Sequence, residues 1–358
     1  MENNKNNSQI NLNNYHKAED IKNVQKMRQV LSELPRFCGR FFKAIEDYTS
    51  ARTRLAYAYD LRLFFEFMHE NNSYLGKMEI TSFPLEILDM ISREDIEEYL
   101  QFLSYYIKDG KEVMNNENGK ERKLASLRSF YNYYFESELI EKNPAALVSM
   151  PKKHEKAIIR LESDEVANLL DLVENGSNLT KSEAKYHTKT EKRDLALVTL
   201  LLGTGIRVSE CVGLNIKDID FQVNGIRIVR KGGYEAIIYF GEEVEEALKD
   251  YLAVRNEIIP ETGHEDALFL SLQKKRITVR AVQNLVKKYS SKVTTLKKIT
   301  PHKLRSTYGT SLYKETGDIY LVADVLGHKD VNTTRKHYAA QADERRRMAA
   351  KAVHLRKD

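Results

Sequence analysis

The stretch 195-LALVTLLLGTGIRVSECVGLNIKDIDFQVNGIRIVRKGGYEAIIYFG-241 changes its period twice. Residues 195–202 are apolar without alternation, the mark of a buried helix segment. Gly203 and Gly205 then set a turn before a second helix that carries Arg207. From 225 to 240, apolar and polar residues alternate on both sides of Lys231-Gly232-Gly233, which predicts a β-hairpin. Nothing else in this half of the chain has period two. The flanking segments predict helices, near 242–258, 278–290, 302–315, 318–326 and 340–353. The half therefore reads as a mostly helical domain holding one small antiparallel sheet. Upstream it opens at a helix with Ser163 as its cap, in the sequence SDEV. Residues 175–190 read as a polar, mobile loop.

Working outward, MPKKHEK at 150–156 is basic and aperiodic and follows the helix-ending pair Asn143-Pro144, so the interdomain linker falls at 151–160. Before it, helical patterning starts near Ile21, breaks at Pro35 and resumes over about 36–48. A further helix opens at Ser50, another spans 92 to about 107, and another 122–137, with 109–119 a polar loop. The expected domains are a disordered Asn-rich tail at 1–15, where seven of fifteen residues are Asn, an all-helical domain at 16–150, and a mixed α+β domain at 161–358. The fold class is mainly α.

The chain has 358 residues, 30% of them charged and 42% hydrophobic, and a formal charge of +5. That length suffices for two cores. No run of apolar residues is long enough for a transmembrane helix, the start lacks a signal-peptide profile, and only two cysteines occur. These features predict a cytoplasmic protein without disulfides. Cys211 follows Glu210 on an apolar helix and reads as a small buried hydrophobe. The mild net charge is unevenly spread: residues 344–358 carry six Lys or Arg against two acids, and 120–128 and 274–298 are also basic. Such clusters suit a nucleic-acid footprint.

Six residues in the second half share one chemistry. Arg207 and Arg305 can meet phosphate oxygens with a planar fork that never deprotonates. Glu210, one helical turn beyond Arg207, can hold its guanidinium. His302 and Arg305 stand at i, i+3 behind Pro301 in PHKLR, on one side of a helix. Lys231 occupies the hairpin turn, with Arg230 beside it as the other residue that could reach inward. His328 follows Leu326-Gly327, a helix end with a glycine cap. Tyr338 lies ten residues later in TTRKHYA. A phenol of pKa about 10 is about one part in a thousand phenolate at neutral pH, an activation cost of about 4 kcal/mol that neighbouring cations can offset. No CxxC pair, HExxH, P-loop or carboxylate cluster at ligand spacing is present, so neither a metal nor a cofactor is expected.

The order Arg207, Lys231, His302-x-x-Arg305, His328, Tyr338, in these contexts, resembles the tyrosine recombinase (phage integrase) family, over roughly residues 40–350. The resemblance implies a Xer-like site-specific recombinase with a SAM-like helical core-binding domain ahead of the catalytic domain. It implies that Arg207 and Arg305 clamp the scissile phosphate, His302 acts as base or phosphate donor, and Lys231 protonates the 5′ leaving oxygen. His328 would bind the phosphate, and Tyr338 would attack to give a 3′-phosphotyrosine link. Ser306 stands where the family often has a second histidine.

The implied partners are double-stranded DNA with paired inverted-repeat sites and a homo-tetramer on synapsed DNA, assembled through an amphipathic helix after Tyr338, with room for an accessory protein and no membrane. Candidate phosphate contacts are Arg52, Arg54, Lys120, Arg122, Lys123, Arg128, Arg276 and Arg280. Strand exchange would pass through a Holliday junction. Chromosome dimer resolution fits the short N-terminal extension. The alternatives are the integrase or transposase of a mobile element, a type IB topoisomerase, and a DNA-binding protein without catalysis.

Overall fold

In the computed structural model, which describes residues 4–150, 159–230, 233–328 and 331 (side chains from 15 onward), contacts divide the chain into two units. One comprises residues 13–156; the other begins at 157 and also takes in the residues before 13.

The first unit contains helix α1 (Asn4–Leu31) from residue 13 onward, and helices α2 (Cys38–Ala44), α3 (Ala51–Asn71), α4 (Ile87–Met90), α5 (Arg93–Phe102), α6 (Glu117–Glu136) and α7 (Pro144–Leu147). Helix α1 starts well before Ile21 and runs through the Asn-rich stretch read as a disordered tail. Asparagine costs a helix well under about 1 kcal/mol per residue, so its frequency alone does not exclude one. The cap expected at Ser50 is present: its Oγ accepts from the Thr53 N–H at 3.2 Å. The core is aromatic. Phe130 of α6 meets Phe41 and Tyr134 edge-on, with ring centroids 5.3 and 5.0 Å apart, and Phe64, Phe65, Tyr99 and Tyr131 are fully buried around it. Such rings each contribute on the order of 2–3 kcal/mol by burial.

This unit is not all-helical. Strands β1 (Tyr106–Lys108) and β2 (Lys111–Val113) pair antiparallel where the sequence predicted a helix end and a polar loop. Asp109 and Gly110 have φ of 51° and 71°, the left-handed pair of a type I′ hairpin turn, which an Asp-Gly dipeptide favours. The strands are three residues each, too short for alternation to register.

The second unit contains α8 (Ser163–Asn175), α9 (Lys181–His187), α10 (Glu191–Thr204), α11 (Val208–Gly213), the strands β3 (Ile219–Asp220), β4 (Gly225–Val229) and β5 (Glu235–Tyr239), and helices α12 (Glu242–Glu257), α13 (Val279–Val293), α14 (Pro301–Thr316) and α15 (Ile319–Leu326). Helix α10 is its axis. Ala196, Leu197, Val198, Leu200 and Leu201 are buried, and α8, α12 and α14 pack on it. The hairpin expected at 225–240 is present, with Ile226 opposite Ile238 and Ile228 opposite Ala236; β3 adds a third antiparallel strand. Two local expectations change. The N-cap of helix α8 is Glu162 rather than Ser163, and its backbone N–H donates to Glu165 Oε2 at 2.8 Å. The predicted loop 175–190 contains α9, whose cap Thr180 exchanges hydrogen bonds with Glu183. Cys211 is buried as expected, and burial pushes its thiol pKa up.

Candidate active site

Helix α10 ends at Gly205, with φ 62° and no room for a side chain: a Cβ there would stand 2.4 Å from the Tyr308 ring. That glycine lets the chain turn sharply into α11, whose N-cap is Arg207. The Arg207 backbone N–H donates to Glu210 Oε2 at 2.7 Å and its Nη1 to Oε1 at 2.8 Å. Glu210 is buried, so the carboxylate fixes the guanidinium on the side where it emerges. The sequence spacing had indicated this pair.

Helix α14 begins with Pro301 at its first turn. His302 is exposed there, while Arg305, three residues on, is 5% exposed. Arg305 Nη1 donates to the Gly205 carbonyl at 2.5 Å and Nη2 to the Leu326 carbonyl. Helix α15 ends at Gly327, in the left-handed conformation with φ 61°, and the His328 N–H closes the turn onto the Ala323 carbonyl at 2.9 Å. Arg207 Nη2 donates to the Gly327 carbonyl at 3.0 Å. Arg230, at the end of the β4 side of the hairpin, donates from Nη1 and Nη2 to the carbonyls of Asp324 and Val325 at 3.1 and 2.8 Å.

Three arginines from three elements thus converge on one helix end. The last carbonyls of an α-helix lack intrahelical donors and carry the negative end of its dipole, so guanidinium groups suit them in both respects. The carbonyls take some of the five N–H donors of each arginine and fix the plane of the rest. Arg207, Arg305 and His328 are brought to the same turn from positions up to 121 residues apart in sequence. Lys231 and Tyr338 lie outside the described residues, as does the tail helix expected at 340–353. Sequence reading left Arg230 and Lys231 as alternatives in the hairpin; of these the described residue Arg230 engages the helix end, a contact across 94 residues that no local signal announces.

The candidate DNA contacts separate into two sets. Arg52 and Arg280 are exposed. Arg54 is buried and caps the carbonyls of Glu46 and Thr49, at 2.8 and 2.7 Å. Arg128 donates to the carbonyls of Ala145 and Val148, and Arg276 to those of Val212 and Leu214. Arg122 forks onto buried Asp60 with Lys123 behind it at 3.4 Å, and Lys120 donates to Ser104 Oγ. Burial holds the Lys123 ammonium pKa below the usual range. Arg54, Arg128 and Arg276 thus donate to backbone carbonyls and Lys123 pairs with Asp60 in this structure; an arginine fork satisfies carbonyls as readily as phosphates. Among the described residues no cluster of three His, Cys, Asp or Glu could hold a metal, and no helix is long and apolar enough to cross a membrane.

Comparison with known proteins assigns this fold, with its arginine–histidine turn beside a small antiparallel sheet, to a class of enzymes that break and rejoin DNA. The model of the phage integrase family matches residues 160–345. The tyrosine recombinase XerC of Caldanaerobacter subterraneus subsp. tengcongensis is 35% identical over 297 residues, 80% of this chain and 77% of that protein. The XerD of Oceanobacillus iheyensis is 30% identical over 296 residues, covering 82% and 89%. Among solved structures, the XerH site-specific recombinase bound to palindromic difH substrate shares the fold, with a TM-score of 0.62 at 21% identity over 85% of this chain and 81% of that one. The chain belongs to the phage integrase family of tyrosine recombinases. It is accordingly an enzyme that breaks and rejoins DNA at specific sites.

Proposed function

We propose that the chain recombines two short inverted-repeat DNA sites in the manner of a Xer recombinase, acting as a homo-tetramer in the cytoplasm, with chromosome dimer resolution as its role and an accessory protein as regulator. The observation that carries this reading is the meeting of Arg207, Arg305 and His328 at the α15 C-terminal turn, with Glu210 bracing Arg207. Two guanidinium groups fixed by backbone carbonyls are preorganised donors for a phosphodiester, and preorganisation is where such sites gain their rate. Tyr338 attacks the phosphorus, the 3′-phosphotyrosine bond forms and the P–O5′ bond breaks. Lys231 gives its proton to the departing oxygen, and His302 and His328 bind or relay protons at the phosphate. Reversal of these steps with a 5′-hydroxyl from the other duplex gives the Holliday junction and then recombinants. Energy is conserved in the phosphotyrosine bond, so no ATP is consumed, and the arginines neutralise the phosphate without a metal.

A plasmid bearing two directly repeated candidate sites tests this. Incubation in EDTA without ATP should yield two smaller circles and transient junctions. Relaxation of supercoiled plasmid lacking any site, without resolution of the paired one, would show topoisomerase-like chemistry instead. Insertion of one site into unrelated DNA would favour the integrase of a mobile element.

A further inference from the structure

Arg230 stands where the hairpin meets the turn. Its backbone N–H still pairs with the Tyr234 carbonyl at 2.8 Å, so it belongs to the hairpin ladder. Its side chain leaves the sheet and spans to α15, where two N–H groups hold the carbonyls of Asp324 and Val325. The guanidinium also lies across Gly327: a Cβ built there would be 2.6–2.9 Å from its Nη1, Cζ and Nε. Only a residue without a side chain admits this approach, and Gly327 is the residue whose carbonyl receives Arg207 and whose neighbour is His328. One side chain therefore joins the strand that leads into Lys231 to the turn that gathers the phosphate-binding groups.

We propose that Arg230 is a positioning residue for strand cleavage: by tying the β4–β5 hairpin to the α15 C-terminal turn it sets where Lys231 acts relative to the phosphate held at Arg207 and His328. This rests on Lys231 being the acid for the leaving group. In cleavage the Tyr338 Oη–P bond forms and the P–O5′ bond breaks. The 5′ oxygen takes a proton from the Lys231 ammonium, which becomes an amine. Losing the Arg230 fork releases the hairpin from the turn, and a misplacement of about 1 Å in such a constellation slows chemistry by about a hundredfold.

The test measures cleavage of a nicked suicide duplex in two forms, one with the ordinary 5′ oxygen and one with sulfur in that bridging position. Sulfur departs as a thiolate, since thiols have pKa about 8.5, and needs no proton. The proteins are wild type, Lys231→Ala, Arg230→Ala and Arg230→Lys, each first checked for site binding by gel shift. Arg230→Ala should bind normally, cleave the oxygen duplex roughly ten- to a hundredfold more slowly than wild type, and regain near-wild-type rates on sulfur, as Lys231→Ala should. Arg230→Lys keeps the charge without the fork and should fall between; it also carries the test should the alanine variant fail to fold. An Arg230→Ala or Arg230→Lys defect that persists on sulfur while Lys231→Ala is restored overturns the positioning role. Wild-type cleavage of the oxygen duplex by Arg230→Ala overturns it as well. Failure of sulfur to restore Lys231→Ala would instead remove Lys231 as the acid, and the proposal with it.

Discussion

Arg305→Ala should cut the rate of DNA cleavage by about a thousandfold, equivalent to about 4 kcal/mol of transition-state stabilisation. Arg305 is 5% exposed and donates to the carbonyls of Gly205 and Leu326, so its fork joins the α10–α11 turn to the α15 turn. Removing it takes away a proposed phosphate donor and leaves two buried carbonyls unpaired, each costing about 1–3 kcal/mol of stability. The two effects separate experimentally. Single-turnover cleavage by protein saturated with its site reports the chemistry, and thermal unfolding reports the fold. Arg305→Lys should restore part of the stability but little of the rate, because an ammonium cannot reproduce a planar fork. Cleavage by Arg305→Ala within tenfold of wild type would remove Arg305 from the phosphate clamp.

Asp194→Ala should destabilise the second unit by about 3–5 kcal/mol, the cost of removing one partner from a buried ionic cluster. Asp194 is 1% exposed in the first turn of α10. Its carboxylate accepts from Arg193 Nη2 at 2.6 Å, from Tyr289 Oη at 2.9 Å and from Thr190 Oγ1 at 3.0 Å, with Lys288 Nζ at 3.8 Å. Tyr289 Oη has spent its only proton on Asp194, so the 3.2 Å contact with His187 Nδ1 requires the imidazole to donate from that nitrogen. Burial pushes the Tyr289 phenol pKa up and the Lys288 ammonium pKa down, so the carboxylate is the group that makes this cluster tolerable. Denaturant unfolding should show a lower midpoint with little change in slope. A loss under about 1 kcal/mol would mean that water replaces the carboxylate and the cluster is not dry. The consequence reaches the site through α10, whose far end is the Gly205 turn that leads into Arg207, the N-cap of α11.

The hairpin at 225–240 was legible because its alternation spans five residues on each strand, and the Arg207–Glu210 brace because it is local. The meeting of Arg207, Arg230 and Arg305 on α15 was not, since it depends on helix packing across about a hundred residues. The bonding partners of the charged residues were not legible either. Arg54, Arg128 and Arg276 were named as candidate phosphate contacts, and the structure adds that each donates to backbone carbonyls. Nothing in a linear sequence marks a carbonyl as lacking a donor. Helix α9 and the β1–β2 hairpin escaped notice because short polar elements carry no hydrophobic period, although Thr180 with Glu183 and Asp109 with Gly110 were the local signals.

Tyr338 is the proposed nucleophile of a phosphate site built on the α15 turn. Its most direct test is a nicked suicide duplex carrying the bound site, incubated with wild type and with Tyr338→Phe and resolved in SDS. A covalent protein–DNA adduct through the 3′ phosphate is expected for wild type and none for the Phe variant, with site binding equal in the two. An adduct that persists in Tyr338→Phe, or none from wild type on a duplex that it binds, would contradict it.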